Sequence, residues 1–288
     1  MDEGIKKPHL RKPPWIRFSM PGGKDYVRVR GVIKEEGLHT VCTEAGCPNI
    51  GECFSRGTAT FLILGDTCTR NCCYCAVNQG TPGPVDGSEP EKIARAVEKL
   101  GLTYAVITSV TRDDLDDGGA GIYTELIGKI RDRSPSCEIE VLVPDFMPRW
   151  RENLQLVIEA RPDVLNHNIE VAGNLYKELR PMGNYNISLE ILKTAAGAGL
   201  SAKSGLMIGF GESTEDIYET LDDLRGVGCS MLTVGQYLQS TRDGFPVVKY
   251  YHPDEFEEIR QKALEMGFGK VMAGPLVRSS YHAGELAK

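Results

Sequence analysis

Between residues 59 and 240 the chain keeps returning to one pattern: a short apolar run rich in β-branched residues, then an amphipathic stretch of helical period. The runs are ATFLILG (59–65), YAVITSV (104–110), EIEVLVP (138–144), DVLNHNIE (163–170), KSGLMIGF (203–210) and MLTVGQY (231–237). The intervening stretches include EPEKIARAVEKLG (89–101), where Ile93, Val97 and Leu100 share a face, and TEDIYETLDDLRGVG (214–228). Six such βα units predict a parallel sheet with crossover helices. Strands that are apolar almost throughout fit a sheet buried on both faces. The expected fold is therefore α/β, a partial (β/α)6 TIM-like barrel over 59–240, with an open Rossmann-like sheet as the alternative. An N-terminal arm (1–58), rich in Pro, Gly, Lys and Arg over its first 25 residues, and a C-terminal extension (241–288) flank it. The basic run Lys6, Lys7, Arg11, Lys12 reads either as a solvated tail or as a strip for an acidic partner.

Several strands end in polar residues: Thr108–Ser109, Asn166–His167–Asn168, Gly209 to Glu212, and Gln236. Ligands of parallel βα folds bind at the carboxyl edge of the sheet, so these ends predict a site at one mouth. A formal net charge of −7 argues against general nucleic-acid binding. No apolar run approaches the roughly 18 residues a membrane helix requires. MDEGIKKPHLRKPPWIRF lacks the apolar centre of a secretory leader, so a reducing cytoplasm is the expected compartment.

Nine cysteines are present, and seven of them crowd into residues 42–75. Disulfide scaffolds are short and spread their cysteines, so crowding in a long chain favours metal binding. CTRNCCYC (68–75) directly follows the first strand and sets Cys68, Cys72 and Cys75 at C-x3-C-x2-C on the mouth. Three thiolates can each hold one iron of a 4Fe–4S cluster and leave the fourth iron open. Structural zinc asks for four ligands, generally from paired C-x2-C elements. Cys73 adjoins Cys72 on a tight loop and is expected to point away from the set. Upstream, VCTEAGCPNIGEC sets Cys42, Cys47 and Cys53 at C-x4-C-x5-C, again three. A zinc ion completed by His39 or another residue and a second iron–sulfur cluster both remain open. Cys137 and Cys229 stand at the amino ends of strands and read as buried thiols, so a second cluster would take a non-cysteine fourth ligand.

A three-cysteine loop after the first strand of a βα barrel resembles the radical S-adenosylmethionine enzymes. The resemblance implies that the open iron chelates the cofactor's methionine amino and carboxylate groups. One electron then cleaves its sulfonium C–S bond, and the resulting 5′-deoxyadenosyl radical abstracts hydrogen from an unactivated carbon. The combination of C-x4-C-x5-C, C-x3-C-x2-C and a late RSSY is similar to the lipoyl synthase family. HTVCTEAGCPNIGECF, VITSVTRDDLDDGGA, EVLVPDF, NHNIE, KSGLMIGFGE, LTVGQYLQ and GPLVRSSYHA carry the likeness from about residue 39 to 284. It implies insertion of sulfur at C6 and C8 of an octanoyl chain amide-linked to a carrier lysine, with two S-adenosylmethionine molecules cleaved. The cofactors it implies are S-adenosylmethionine and two 4Fe–4S clusters, the second consumed as sulfur donor. Ser280 maps onto that cluster's fourth ligand, and a serine oxygen, harder than thiolate, holds iron less tightly. Implied partners are octanoylated lipoyl carrier domains (2-oxoacid dehydrogenase E2 subunits, glycine cleavage H protein), an electron donor such as ferredoxin or flavodoxin, and an iron–sulfur carrier, with neither nucleic acid nor membrane.

The same resemblance places Tyr74 beside the adenine and Gly205 and Gly209 where cofactor approaches the backbone. Thr108, Ser109, Asn166, Glu170 and Arg180 are expected at the cofactor, Arg180 as a fork for its carboxylate and Glu170 as an acceptor from ribose. Lys203 and Gln236 are further candidates, and His167 reads as structural. TRDDLDDGG (111–119) reads as a solvated loop with helix-start carboxylates rather than a Mg²⁺ site. The chain departs from the family pattern at Cys73, at AKSG and at GGAGIY, none of which removes a cluster ligand. The rival readings are an RNA-methylthiolating radical enzyme, which would add a basic RNA-binding domain, and a non-enzymatic electron carrier or zinc scaffold.

Overall fold

A computed structural model describes residues 10–241 and 244–287. Its central sheet has eight strands in the order β1-β2-β5-β6-β7-β8-β9-β10. They are β1 (His39–Thr40), β2 (Thr60–Ile63), β5 (Tyr104–Ser109), β6 (Glu138–Leu142), β7 (Val164–Asn166), β8 (Ser201–Ile208), β9 (Met231–Gln236) and β10 (Lys270–Gly274). Two-residue strands β3 (Thr67–Cys68) and β4 (Asn78–Gln79) form a separate parallel pair. From β2 to β10 every pairing is parallel, and only β1 runs antiparallel, on the edge beside β2. Spatial order follows chain order, as each crossover lays the next strand on the same edge. Among the described residues β10 does not pair with β1, so the barrel is partial.

The helices are α1 (Lys24–Glu36), α2 (Val41–Glu44) and α3 (Ile50–Ser55) in the arm, then α4 (Glu89–Leu100), α5 (Ala120–Arg133), α6 (Trp150–Glu159), α7 (Tyr176–Leu179), α8 (Tyr185–Gly197), α9 (Thr214–Gly226), α10 (Pro253–Glu265) and α11 (Ala283–Ala287). Helix α4 buries Ile93, Val97 and Leu100, as its period predicts. Helix α9 starts on a capping box in which Ser213 and Asp216 satisfy each other's backbone amides. Beyond residue 240, α10 and β10 continue the βα alternation, with β10 parallel to β9. KVMAG holds only three apolar residues in succession, Val271 to Ala273, a shorter run than those that marked the other strands in the sequence.

Strand alternation sorts the side chains. Phe61, Ile63, Ala105, Ile107, Ile139 and Val141 are fully buried against the helices. Leu62, Val106, Thr108 and Leu142 turn to the other face and line the bore. Within the bore, Lys203 Nζ donates to Glu140 Oε1 and Oε2 at 2.8 and 2.9 Å. Tyr104 Oη and Asn166 Nδ2 also donate to that carboxylate, at 2.7 and 2.9 Å. The amino end of the bore is closed by the C-terminus. Leu286 of α11 packs with Val164 and Met231, and Gly284 lies so close to Tyr104 that a Cβ would come within 3.1 Å of the tyrosine Cβ. No helix among the described residues is long and apolar enough to cross a membrane.

Candidate active site

The loop after β2 is held by charge. Arg70 forms a fork with Asp113 (Nη2–Oδ1 2.8 Å, Nε–Oδ2 2.8 Å), and its Nη1 reaches Asp145 Oδ2 at 2.7 Å. The loops after β2, β5 and β6 are thereby tied around one buried guanidinium. Asp114 pairs with Arg112, and Asp117 accepts from the Gly119 and Gly121 amides at the start of α5. The helix-start reading of TRDDLDDGG fits Asp117. Asp113 and Asp114 instead bind arginines, Asp114 the neighbouring Arg112 and Asp113 the distant Arg70, a pairing that local pattern does not reveal.

Cys68 ends β3, and Cys72 and Cys75 follow on the loop, with the Cys75 amide donating to Cys72 O at 3.1 Å. Burial pushes the Cys75 thiol up to about 12 and raises Cys72 as well, Arg180 opposing the shift at Cys72. Such thiols stay protonated near neutrality unless a bound metal claims the thiolate. Cys73 is exposed and turns its Sγ toward Glu178 O at 3.6 Å, away from that set.

The second set sits beside the other end of β2. The antiparallel register His39↔Leu62 and Thr40↔Phe61 runs the chain downward, so Cys42 on α2 arrives near Thr60. The Thr58 amide donates to Cys53 O at 3.0 Å, and the Cys47 amide to Cys42 O at 3.0 Å. Burial lifts Cys42 to about 11 and Cys53 to about 12, each further raised by its neighbouring thiols. The two sets thus flank β2 from opposite ends, across the bore, rather than meeting over the mouth. Four strand residues separate those ends by about 13 Å.

The C-terminal segment returns across this gap. Asn49 Nδ2 donates to Leu276 O at 2.6 Å, Tyr281 Oη to Glu52 Oε1 at 3.0 Å, and Arg56 pairs with Glu285 at 2.6 Å. These contacts, more than 200 residues apart in sequence, clamp the strip holding Ser280 onto helix α3. Ser280, both cysteine sets, Tyr74, Thr108, Ser109, Glu170 and Arg180 line one cavity of about 1510 Å³. That exceeds the roughly 300–1,000 Å³ of a single small-ligand pocket.

At the carboxyl rim, Glu170 adopts a left-handed φ of 70°. It is locked there by its amide donating to Gly205 O (2.9 Å) and its carbonyl accepting from Met207 N (2.8 Å). Backbone strain of this kind persists where a side chain must be aimed. Burial pushes the Glu170 carboxyl up, and Arg180 draws it back. Ser109 Oγ, Asn168 Oδ1 and Arg180 Nε are buried without a hydrogen-bond partner among the described residues. Orphaned donors and acceptors facing one cavity fit a polar, zwitterionic ligand such as S-adenosylmethionine.

Four expected cofactor residues make close contacts within the protein. Asn166 Nδ2 and Lys203 Nζ point into the bore and donate to Glu140, and Asn166 Oδ1 is buried without a hydrogen-bond partner among the described residues. Gln236 donates to Ile208, Tyr237 and Lys249 carbonyls and accepts from Tyr251 N. Gly209, at φ 120°, is small because a Cβ would lie 2.2 Å from Gln236 Nε2. Gly205 faces Asn168, whose Oδ1 would sit 2.7 Å from its Cβ. His167 bonds Val143 O (2.8 Å) and Ser188 Oγ (2.9 Å), and burial lowers it to about 4, in keeping with a structural histidine. Asn168, one of the polar strand ends expected at the mouth, stands two residues beyond Asn166 on the same strand face and hence nearer the rim. Sequence reasoning did not single out Arg278, whose half-buried side chain lines the same cavity.

The donor set also speaks to zinc. Two thiolates on one zinc, at about 2.3 Å each, cannot be more than roughly 4.6 Å apart. Among the described residues no three cysteine sulfurs lie within 4.8 Å of one another, whereas a four-iron cube spreads its ligands more widely. His39 is engaged by Glu44 (3.1 Å) and groups with Asp66, not with the thiols.

Comparison with known proteins identifies the family. Residues 62–224 match the model of the radical SAM superfamily, and residues 3–47 that of the N-terminal domain of lipoyl synthase. The chain is 51% identical over 280 residues to the lipoyl synthase of Methylococcus capsulatus, covering 96% of this chain and 87% of that one. It is 50% identical over 283 residues to that of Roseiflexus, covering 98% and 94%. In fold it is similar to methylornithine synthase PylB (TM-score 0.55, 14% identical, 77% of this chain and 73% of that one). It is also similar to Streptococcus suis SuiB bound to S-adenosylmethionine (TM-score 0.55, 12% identical, 71% and 46%). With its fold, its three-cysteine mouth loop and these relatives in agreement, the chain belongs to the lipoyl synthase family of radical S-adenosylmethionine enzymes.

Proposed function

We propose that this enzyme inserts sulfur at C6 and C8 of an octanoyl chain carried on a lysine, and that both cysteine sets serve that one reaction. The observation that carries the proposal is their arrangement at opposite ends of β2, lining a single cavity. When bound, S-adenosylmethionine and the two iron–sulfur clusters supply the electron, the hydrogen-abstracting carbon radical and the sulfide. Cys68, Cys72 and Cys75 hold the cluster at the mouth. Ser109, Asn168, Glu170 and Arg180 offer the buried polar atoms that orient the cofactor. Leu62, Val106 and Leu142 give the bore an apolar wall against which an acyl chain loses no hydrogen bonds and from which water is excluded. Cys42, Cys47 and Cys53 hold the second cluster, with Ser280 as the oxygen ligand delivered by the C-terminal strip. Division into an arm at 1–58, a barrel and a C-terminal extension follows the same logic, each flank bringing one part of the second ligand set.

The test is an anaerobic assay with an octanoyl-lysine peptide, S-adenosylmethionine and a reductant, read by mass spectrometry for one and two added sulfurs. Reconstituted protein should hold about eight irons. Cys68→Ala should abolish deoxyadenosine formation. Cys42→Ala should keep deoxyadenosine formation, lose sulfur transfer and bind about half the iron. Sulfur transfer surviving in Cys42→Ala would sink the assignment of the second set.

A further inference from the structure

One stretch of the arm takes no part in holding either cysteine set. Residues 10–21 read LRKPPWIRFSMP, three cations and no acid, in a chain of net charge −7. Its backbone is pinned at both ends. Trp15 Nε1 donates to Tyr251 O at 3.2 Å, and its ring meets that of His252 edge-on at 4.9 Å, on the carboxyl side of β9. Ser55 Oγ donates to Gly22 O at 2.8 Å, and Gly51 packs so close that a Cβ would come within 2.6 Å of Ser19 O. The arm therefore crosses the open edge of the barrel as a held strap. Between its pins, Phe18 is 41% and Met20 88% exposed. Lys12 lies 5.1 Å over the Phe18 ring, and Lys12, Phe18 and Met20 line the rim of the active-site cavity.

A held backbone that presents Phe and Met outward among cations has the composition of an interface centre, not of a solvated tail. Its position selects the partner. The substrate chain hangs from one lysine, so a folded carrier can deliver it only by resting against the rim of this cavity. We propose that residues 11–20 are the docking strip for the octanoylated carrier domain, received through an acidic face beside its acylated lysine. This rests on the lipoyl synthase reading above. Arg11, Lys12 and Arg17 meet the acidic face, and Phe18 and Met20 cover apolar surface at its centre. Lys6 and Lys7, which extend the basic run, lie outside the described residues.

Steady-state kinetics with two substrates tests it: an octanoylated carrier domain and an octanoyl-lysine peptide too small to reach the strip. The Arg11→Glu/Arg17→Glu variant should raise KM for the domain about tenfold, with kcat and peptide conversion unchanged. The wild-type KM for the domain should rise with ionic strength, and the variant's should not. Met20→Ser, which leaves the charges in place, should raise KM for the domain without altering its salt dependence. An unchanged KM for the domain overturns the proposal, as does a parallel loss with domain and peptide. So does a shift from dimer to monomer on sedimentation of the variants, which would make the strip a seat for a second copy of this chain. Wild-type enzyme that converts neither substrate would overturn the functional reading rather than the docking site.

Discussion

Residues of this molecule divide into those whose role local spacing announces and those whose role depends on a distant partner. The six cysteines belong to the first kind, because loops of a few residues cannot carry their thiols far apart. Asn166, Lys203 and Gln236 belong to the second. Each is a polar residue on a strand whose donors are engaged by the bore ion pair or the backbone around Tyr251. His167 yields a pH prediction. Burial, with Arg180 nearby, lowers it to about 4 in the folded chain, against about 6.5 when unfolded. Between those values the unfolded chain binds a proton that the folded chain refuses, so stability falls as pH drops through 6.5 and levels off near 4. Over the whole window the loss is roughly 3 kcal/mol, and from pH 7 to 5 roughly 2 kcal/mol. Urea unfolding of wild type and His167→Gln at the two pH values should show the gap between them narrowing by that amount on acidification. A gap independent of pH would mean that the imidazole is not held neutral.

Elements are legible where an apolar period runs long. Helices α4 and α9 and the six expected strands match their sequence patterns to within a few residues. Strand β10 escaped because its apolar run, Val271 to Ala273, is only three residues long. The C-terminal strip escaped because its structure depends on what lies beneath it. Gly235 in β9 is one such support: a Cβ there would lie 2.1 Å from Val277 O and 3.2 Å from Arg278 Nη1. Gly235→Ala should lift the strip away from the bore at a cost of about 1–3 kcal/mol. Hydrogen exchange would then show faster amides over 275–287, while those of β2 and β5 keep their protection. Unchanged exchange in the strip would show that it does not bear on β9.

Across the whole molecule, two apolar cores flank a bore whose centre is ionic. One core lies under α4, α5 and α6, and the other under α8, α9 and α10. Lys203 and Glu140, both side chains fully buried, link strands from the two halves, with Tyr104 and Asn166 filling the remaining carboxylate sites. Removing one partner strands the other charge without water. Lys203→Met should cost about 3–5 kcal/mol, and Lys203→Met with Glu140→Leu should recover much of that loss in thermal unfolding. A double variant no more stable than the single one would place the cost in packing volume rather than in the uncompensated carboxylate.

Sequence alone determined the βα order, the cysteine spacings and the family, because each is written within a few tens of consecutive residues. Tertiary structure decided the rest. The antiparallel turn of β1 put the second cysteine set beside the amino end of β2. Contacts spanning more than 200 residues brought Ser280 and Arg278 to it. Strand register decided which polar side chains face the mouth and which the bore. The reason is geometric: a side chain's direction alternates with every residue along a strand, so its surroundings are set only when neighbouring strands lock in register and the chain's two ends close over them.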